Sequence, residues 1–232
     1  MSDTSDILPE RAAGISAETR TTYTEALLRG DKRACADIVT RLLDEGLPIR
    51  TLFIDLFQES LYHVGRLWEL NRISVATEHL ATSVTLVLFQ LVYPRVFAVP
   101  RNGRCAIVAC TPDEHHHIGA RMVSDICEMH GWDSHFVGAS TPASDLCKLV
   151  EEKRPDILAI SITLYANLGN LLHLISRVRA AAPDLPIIIG GQAFMCGGEE
   201  FVADIPQVTY MRTLSDFEDY LDTPERIGAT QH

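Results

Sequence analysis

Residues 105–119 read CAIVACTPDEHHHIG. A short apolar run ends at Cys110, and the turn residues Thr111, Pro112 and Asp113 follow it. Glu114 and three consecutive histidines come next, and Ile118-Gly119 opens a helical pattern. A strand, a polar loop and a helix in that order make one β-α unit. Four more short runs share its grammar: SHFVG (134–138), ILAISIT (157–163), PIIIGG (186–191) and QVTYM (207–211). Helical segments are expected at 118–130, 142–153, 168–182, 195–203 and 214–221. The alternation predicts a flavodoxin-like (Rossmann-like) five-stranded parallel sheet of order 2-1-3-4-5.

Upstream of the break at Val99-Pro100-Arg101-Asn102-Gly103 the period is helical throughout. Segments 17–29 and 32–45 have helical apolar spacing, with Asp31 as the expected N-cap of the second. Gly46 ends it and Pro48 starts the next helix. There Leu52, Phe53, Leu56, Phe57, Leu61, Val64 and Trp68 form an apolar stripe at spacings of three and four. Ser74 then caps a fourth helix reaching about Val96. The expected class is α + α/β: a disordered N-terminus (1–15), a four-helix bundle cap (16–98), an α/β domain (104–222) and a flexible tail (223–232).

The net charge is -11, and no basic cluster interrupts it. Such a surface repels a phosphate backbone, which argues against direct nucleic-acid binding. Six scattered cysteines without C-x-x-C spacing fit reduced thiols in a cytoplasmic protein. The start MSDTSDILPE lacks a signal-peptide pattern, and the apolar run 84–92 is too short to cross a bilayer, so no membrane association is expected.

Ligands of open parallel sheets sit beyond the carboxyl ends of the strands. Three unusual stretches fall there: PDEHHHIG, then Ser161, Thr163 and Tyr165 after strand 3, then Gly190-Gly191-Gln192 after strand 4. The residues alone leave three readings of the histidine triplet open: a solvated loop, a zinc site with Cys110 or Cys127, and a cofactor ligand. The loop resembles the D-x-H-x-x-G signature of cobalamin-binding domains, which pair it with a serine motif after strand 3 and Gly-Gly after strand 4. Aligned on Gly119, the resemblance makes His116 the lower axial cobalt ligand. Glu114 is then the carboxylate behind it, a departure from Asp. It implies that the cofactor's displaced nucleotide tail threads between the loops of Ser161, Thr163 and Tyr165 and of Gly190 and Gly191.

In the bundle, Val75, Glu78 and His79 stand at i, i+3 and i+4, and Trp68 precedes them across a turn. Their placement on an otherwise apolar, inward face is expected to bury Glu78 and His79, which needs a functional reason. The spacing W-x6-V-x2-E-H resembles the cap of the adenosylcobalamin-dependent photoreceptors, the light-responsive carotenoid-gene repressors. There the Trp packs over the adenosyl group, the Glu contacts its ribose and the Val makes room. A His follows the Trp in those repressors; here Glu69 does, and no DNA-binding module is recognisable. The photocobilins, a sub-family without that His, add biliverdin as a second chromophore.

The resemblance implies a non-enzymatic light sensor with adenosylcobalamin bound base-off, light-dependent homo-oligomerisation and a protein signalling partner. The alternative of the same two-part plan is a corrinoid methyl carrier of a methyltransferase system. A scaffold using haem or no cofactor is a third reading.

Overall fold

The computed structural model describes residues 14–223. The N-terminus and tail expected to be disordered and flexible lie almost wholly outside the described residues. The chain divides into two compact units, Met1–Tyr93 and Pro94–His232.

The first unit is a four-helix bundle. Helix α1 (Ala17–Leu28) starts at Ser16, whose side chain accepts the Thr19 amide, and α2 (Lys32–Asp44) starts at Asp31, which accepts Ala34 N at 3.0 Å. Gly30 turns the chain between them at φ +68, and a Cβ there would meet Leu80 Cδ2 at 2.5 Å. Helix α3 (49–69) is α-helical over Ile49–Thr51, π-helical over Leu52–Gln58 and α-helical again over Glu59–Glu69. The apolar spacing gives no warning of the π stretch, because four of its five apolar residues, Leu52, Phe53, Leu56 and Phe57, are fully buried as a plain helix would have them, with Ile54 partly buried. Phe53, Phe57 and Phe89 pack ring to ring at 5.2–6.1 Å, and Tyr23 joins Phe57 at 6.1 Å. Each such burial is worth roughly 2 kcal/mol of transfer free energy.

Helix α4 (Val75–Val96) is capped by Ser74, which accepts Thr77 N at 3.1 Å. Ala81, Val84, Leu88, Phe89, Val92 and Val96 are buried, whereas Leu80 and Val87 are exposed. Considered whole rather than as its apolar run 84–92, α4 is long and apolar enough to cross a membrane by length and composition alone. The burial of its inner face in the bundle is what a core helix shows equally well.

The second unit is a five-stranded parallel sheet in the order β2-β1-β3-β4-β5. Its strands are β1 (Cys105–Cys110), β2 (Asp133–Gly138), β3 (Ile157–Ser161), β4 (Ile187–Gly190) and β5 (Val208–Tyr210). Between and after them run α5 (Ile118–Met129), α6 (Ala143–Lys153), α7 (Leu168–Ala181) and α8 (Leu214–Asp222). In register, Cys110 pairs with Ser161 and Ser161 with Gly190, so the three strands end level. One buried face of the sheet, with Leu158, Ile160, Ile187 and Ile189, packs on Leu171, Leu174, Ile175 and Val178 of α7.

Two boundaries differ from the sequence reading. The helix expected at 195–203 is replaced by two 3-10 turns, Gln192–Cys196 and Glu199–Phe201. Gly197 and Gly198 separate them at φ +97 and +100, conformations that end a helix. β3 stops at Ser161 rather than Thr163, because the amides of Thr163 and Leu164 donate to Glu114 instead of a neighbouring strand.

Candidate functional site

The level ends of β1, β3 and β4 bring three loops together, and Glu114 is the knot. Its side chain has no solvent exposure. Oε1 lies 2.5 Å from His116 Nδ1 and accepts the His116 amide at 3.1 Å. Oε2 accepts Thr163 N at 3.0 Å, Leu164 N at 2.9 Å and Asn167 Nδ2 at 3.1 Å. Burial by itself would raise this acid's pKa. The His116 bond and the backbone donors more than offset that and hold the carboxyl at about 2. An ionised acceptor at Nδ1 favours the Nδ1–H tautomer of a neutral imidazole, whose lone pair is then on Nε2.

The other two histidines turn elsewhere. His115 Nδ1 faces Ser140 Oγ at 3.2 Å. His117 begins α5, and its ring lies 6.4 Å from that of Phe136. Among the described residues no group of three or more His, Cys, Asp or Glu side chains is placed to hold a metal ion. Burial and the Glu114 charge also push the Cys110 thiol up to about 12, and burial raises Cys127 as well. The zinc reading therefore lacks its ligand cluster among the described residues.

The remaining expected residues divide. Ser161 and Thr163 join the Glu114 loop through their backbones: Ser161 O accepts Thr111 N at 2.9 Å, and Thr163 donates as described. Tyr165 is half-exposed and stands beside Gly198. The two glycines after β4 serve the chain itself more than was expected. A Cβ on Gly191, at φ +122, would fall 2.1 Å from Ile162 O, and one on Gly190 would lie 3.3 Å from Met211 O. Close approach of backbone to backbone explains Gly191 without any ligand. Gly119 is the opposite case, with nothing within 4 Å of where a Cβ would stand. Open space over Gly119, a half-exposed His116 and a buried, ionised Glu114 fit a bulky ligand whose metal is held from one side.

In the bundle, Trp68 ends α3 with 44% of its surface exposed, and Val75 begins α4 with 51% exposed. Glu78 is partly buried and His79 exposed. The expected inward placement is thus not met: these positions lie at helix ends, beyond the Tyr23–Phe57–Phe89 core. Glu78 Oε2 meets His79 Nδ1 at 2.5 Å, and Oε1 accepts Thr82 Oγ1 at 3.0 Å. Glu69 is exposed at the end of α3.

Sequence reasoning missed Asn167. An Asn at the start of a helix pattern reads as a cap, and nothing in the sequence aims it back at a loop some fifty residues upstream. A hollow of about 530 Å³ lies at the amino ends of β3 and β4, beside Arg154, Pro155, Pro183 and Pro186, away from all these residues.

Residues 104–213 match the B12 binding domain family, and residues 19–91 match a second B12 binding domain family. The chain belongs to the B12-binding proteins. This B12-binding chain is 27% identical over 210 residues to the HTH-type transcriptional repressor CarH of Myxococcus xanthus, spanning 83% of this chain and 69% of that one. It is 28% identical over 158 residues to the repressor CarA of the same organism, and spans about half of its length (53%). Among solved structures, the monomethylamine corrinoid protein of Methanosarcina barkeri superposes with a TM-score of 0.74 at 12% identity, covering 87% of this chain and 96% of that one. That likeness shows a shared fold.

Proposed function

We propose that this B12-binding protein is a cobalamin-dependent photoreceptor. It takes adenosylcobalamin base-off, with His116 as lower cobalt ligand, and signals to a protein partner through a light-dependent change of domain or subunit arrangement. The cofactor, when bound, supplies a cobalt–carbon bond that light breaks, releasing the nucleoside.

The chain's own part follows from its geometry. Glu114 holds His116 by Nδ1 and strengthens Nε2 as a donor to the metal. Gly119 leaves room above the first turn of α5. Ser161, Thr163, Tyr165, Gly190 and Gly191 border the place proposed for the nucleotide tail. Trp68, Val75, Glu78 and His79 are the proposed contacts of the adenosyl group: a stacking face, a small side chain and a polar pair. Glu69 stands where the resembling repressors have His, so this position offers no second histidine to the cofactor. No turnover is involved, and no observation supports biliverdin, which has no part in the proposal.

The observation that carries the reading is the exposure of Trp68 and Val75, with the Glu78–His79 pair one turn on from Val75, in a chain similar to the CarH repressor over most of its length. Large apolar side chains left in solvent at two helix ends suit a nucleoside. A methyl group offers them no surface, which sets the corrinoid methyl-carrier reading second. The test is the absorption spectrum of protein loaded in the dark with adenosylcobalamin, before and after green light, with the oligomeric state measured in both conditions. A light-dependent spectral change accompanied by a change of assembly or of domain arrangement is expected. An unchanged spectrum overturns the proposal.

A further inference from the structure

We infer that Thr82 is a positioning residue for Glu78 and so helps select a cobalamin that carries a nucleoside over one that carries a methyl group. The inference rests on the proposed contact between Glu78 and the nucleoside. Threonines in the helices of this bundle share a habit. Thr21, Thr24 and Thr85 each donate to the carbonyl four residues earlier: Ala17 O at 2.9 Å, Arg20 O at 2.8 Å and Ala81 O at 3.0 Å. That is the ordinary back-bond of a helical hydroxyl. Thr82 departs from it. Its Oγ1 donates to the side chain of the residue four earlier, Glu78 Oε1, at 3.0 Å. The Glu78 side chain therefore lies along α4 towards Thr82.

The second oxygen is held as well. Glu78 Oε2 lies 2.5 Å from His79 Nδ1, although sequence neighbours on a helix do not face each other. Anchors one and four residues on thus fix both oxygens of the carboxylate, and with them its plane. Each oxygen keeps a further lone-pair direction for an incoming donor. A ribose presents two adjacent hydroxyls and a methyl group none. A carboxylate already held in one plane meets those donors without losing rotamer freedom on binding, as a free one would. The two anchors differ in strength. The His79 bond is in solvent, with 73% of that side chain exposed, whereas the Thr82 bond is partly buried. A hydrogen bond to a charged group counts for more where water competes less. Thr82 therefore holds the acid more firmly than His79 does.

The experiment measures the affinity of the full chain for adenosylcobalamin and for methylcobalamin in the dark, by isothermal titration. The variants are Glu78→Ala, Thr82→Val, Thr82→Ser and the double variant of Glu78→Ala with Thr82→Val. Thr82→Val keeps the shape and removes the donor. It should weaken adenosylcobalamin about fivefold and leave methylcobalamin within about twofold of wild type. Thr82→Ser, which keeps the hydroxyl, should bind both cofactors as wild type does. With the Glu78 side chain gone, Thr82→Val should add no further loss. Apo melting temperatures are expected to stay near wild type, and Thr82→Ala repeats the test should the valine disturb packing. Equal losses for the two cofactors in Thr82→Val, no recovery in Thr82→Ser, or a Thr82→Val loss that persists in full without Glu78 overturns the inference. So does wild-type affinity in Thr82→Val where Glu78→Ala has lost its own, and the Glu78 contact then stands. A Glu78→Ala variant that keeps its affinity for adenosylcobalamin, or loses both cofactors alike, overturns that contact and the inference with it.

Discussion

Glu114 has no exposed surface, yet its Oε1 lies 2.5 Å from the Nδ1 of the half-exposed His116. The acid is buried so that the imidazole need not be. Its carboxyl is held at about 2, against an ordinary value of 4.5. A depressed acid contributes stability that is fully present above its unfolded pKa and is lost as pH falls through the folded value. The window is therefore pH 4.5 down to about 2, and the contribution is about 3 kcal/mol. Glu114→Gln should lose that pH dependence, as followed by denaturant unfolding at several pH values. The variant should also be less stable at pH 7 by about 2 kcal/mol, since an amide nitrogen would face the Thr163 and Leu164 donors.

Asp125 has the opposite sign. It is buried on α5, pairs with Arg121 at 3.1 Å and has no hydrogen-bond partner at Oδ2 among the described residues. Desolvation raises its carboxyl to about 6, with Arg121 opposing. The folded state takes up this proton first, so stability is gained as pH falls from about 6 towards 3.8. Asp125→Asn should remove that slope and leave the Glu114 slope untouched.

Replacing the cap tryptophan should separate folding from ligand choice. With 44% of its surface exposed, Trp68→Ala is expected to shift stability by about 1 kcal/mol or less. Affinity for adenosylcobalamin should fall roughly tenfold, as loss of a stacking partner would give, and that for methylcobalamin much less. Isothermal titration with both cofactors checks this, and equal losses for the two would count against the nucleoside contact.

Two glycines make a paired test. Gly119→Ala meets nothing within 4 Å among the described residues outside its own turn of helix, so its apo melting temperature should match wild type while its cobalamin affinity falls. Gly191→Ala drives a Cβ to 2.1 Å from Ile162 O at φ +122 and should destabilise the unit by about 3 kcal/mol or more.

The sheet order, the four helices and the caps Asp31 and Ser74 were legible because period and capping are local signals. The Glu114–His116 pair was legible because two residues and a fixed glycine define it. The interlocking of the loops was not. Asn167 donates to Glu114, and Asn170 to Pro112 and Asp113, across some fifty to sixty residues, and Gly191 answers to the backbone of another strand. Burial of the cap was misjudged for a related reason. Helical spacing reports which residues share a face, whereas Trp68 and Val75 lie at helix ends, past the point where the bundle's core has anything to cover them.

Among the described residues, five hydrogen bonds to the Glu114 carboxylate come from residues 116, 163, 164 and 167. The β1 loop thus has no finished shape until β3 has paired with β1 and the start of α7 has formed. Closing so long a stretch is slow compared with forming either helix. During synthesis, the histidine loop leaves the ribosome well before the residues that lock its carboxylate. The shape of the histidine loop is therefore a late product of folding, which follows assembly of the sheet.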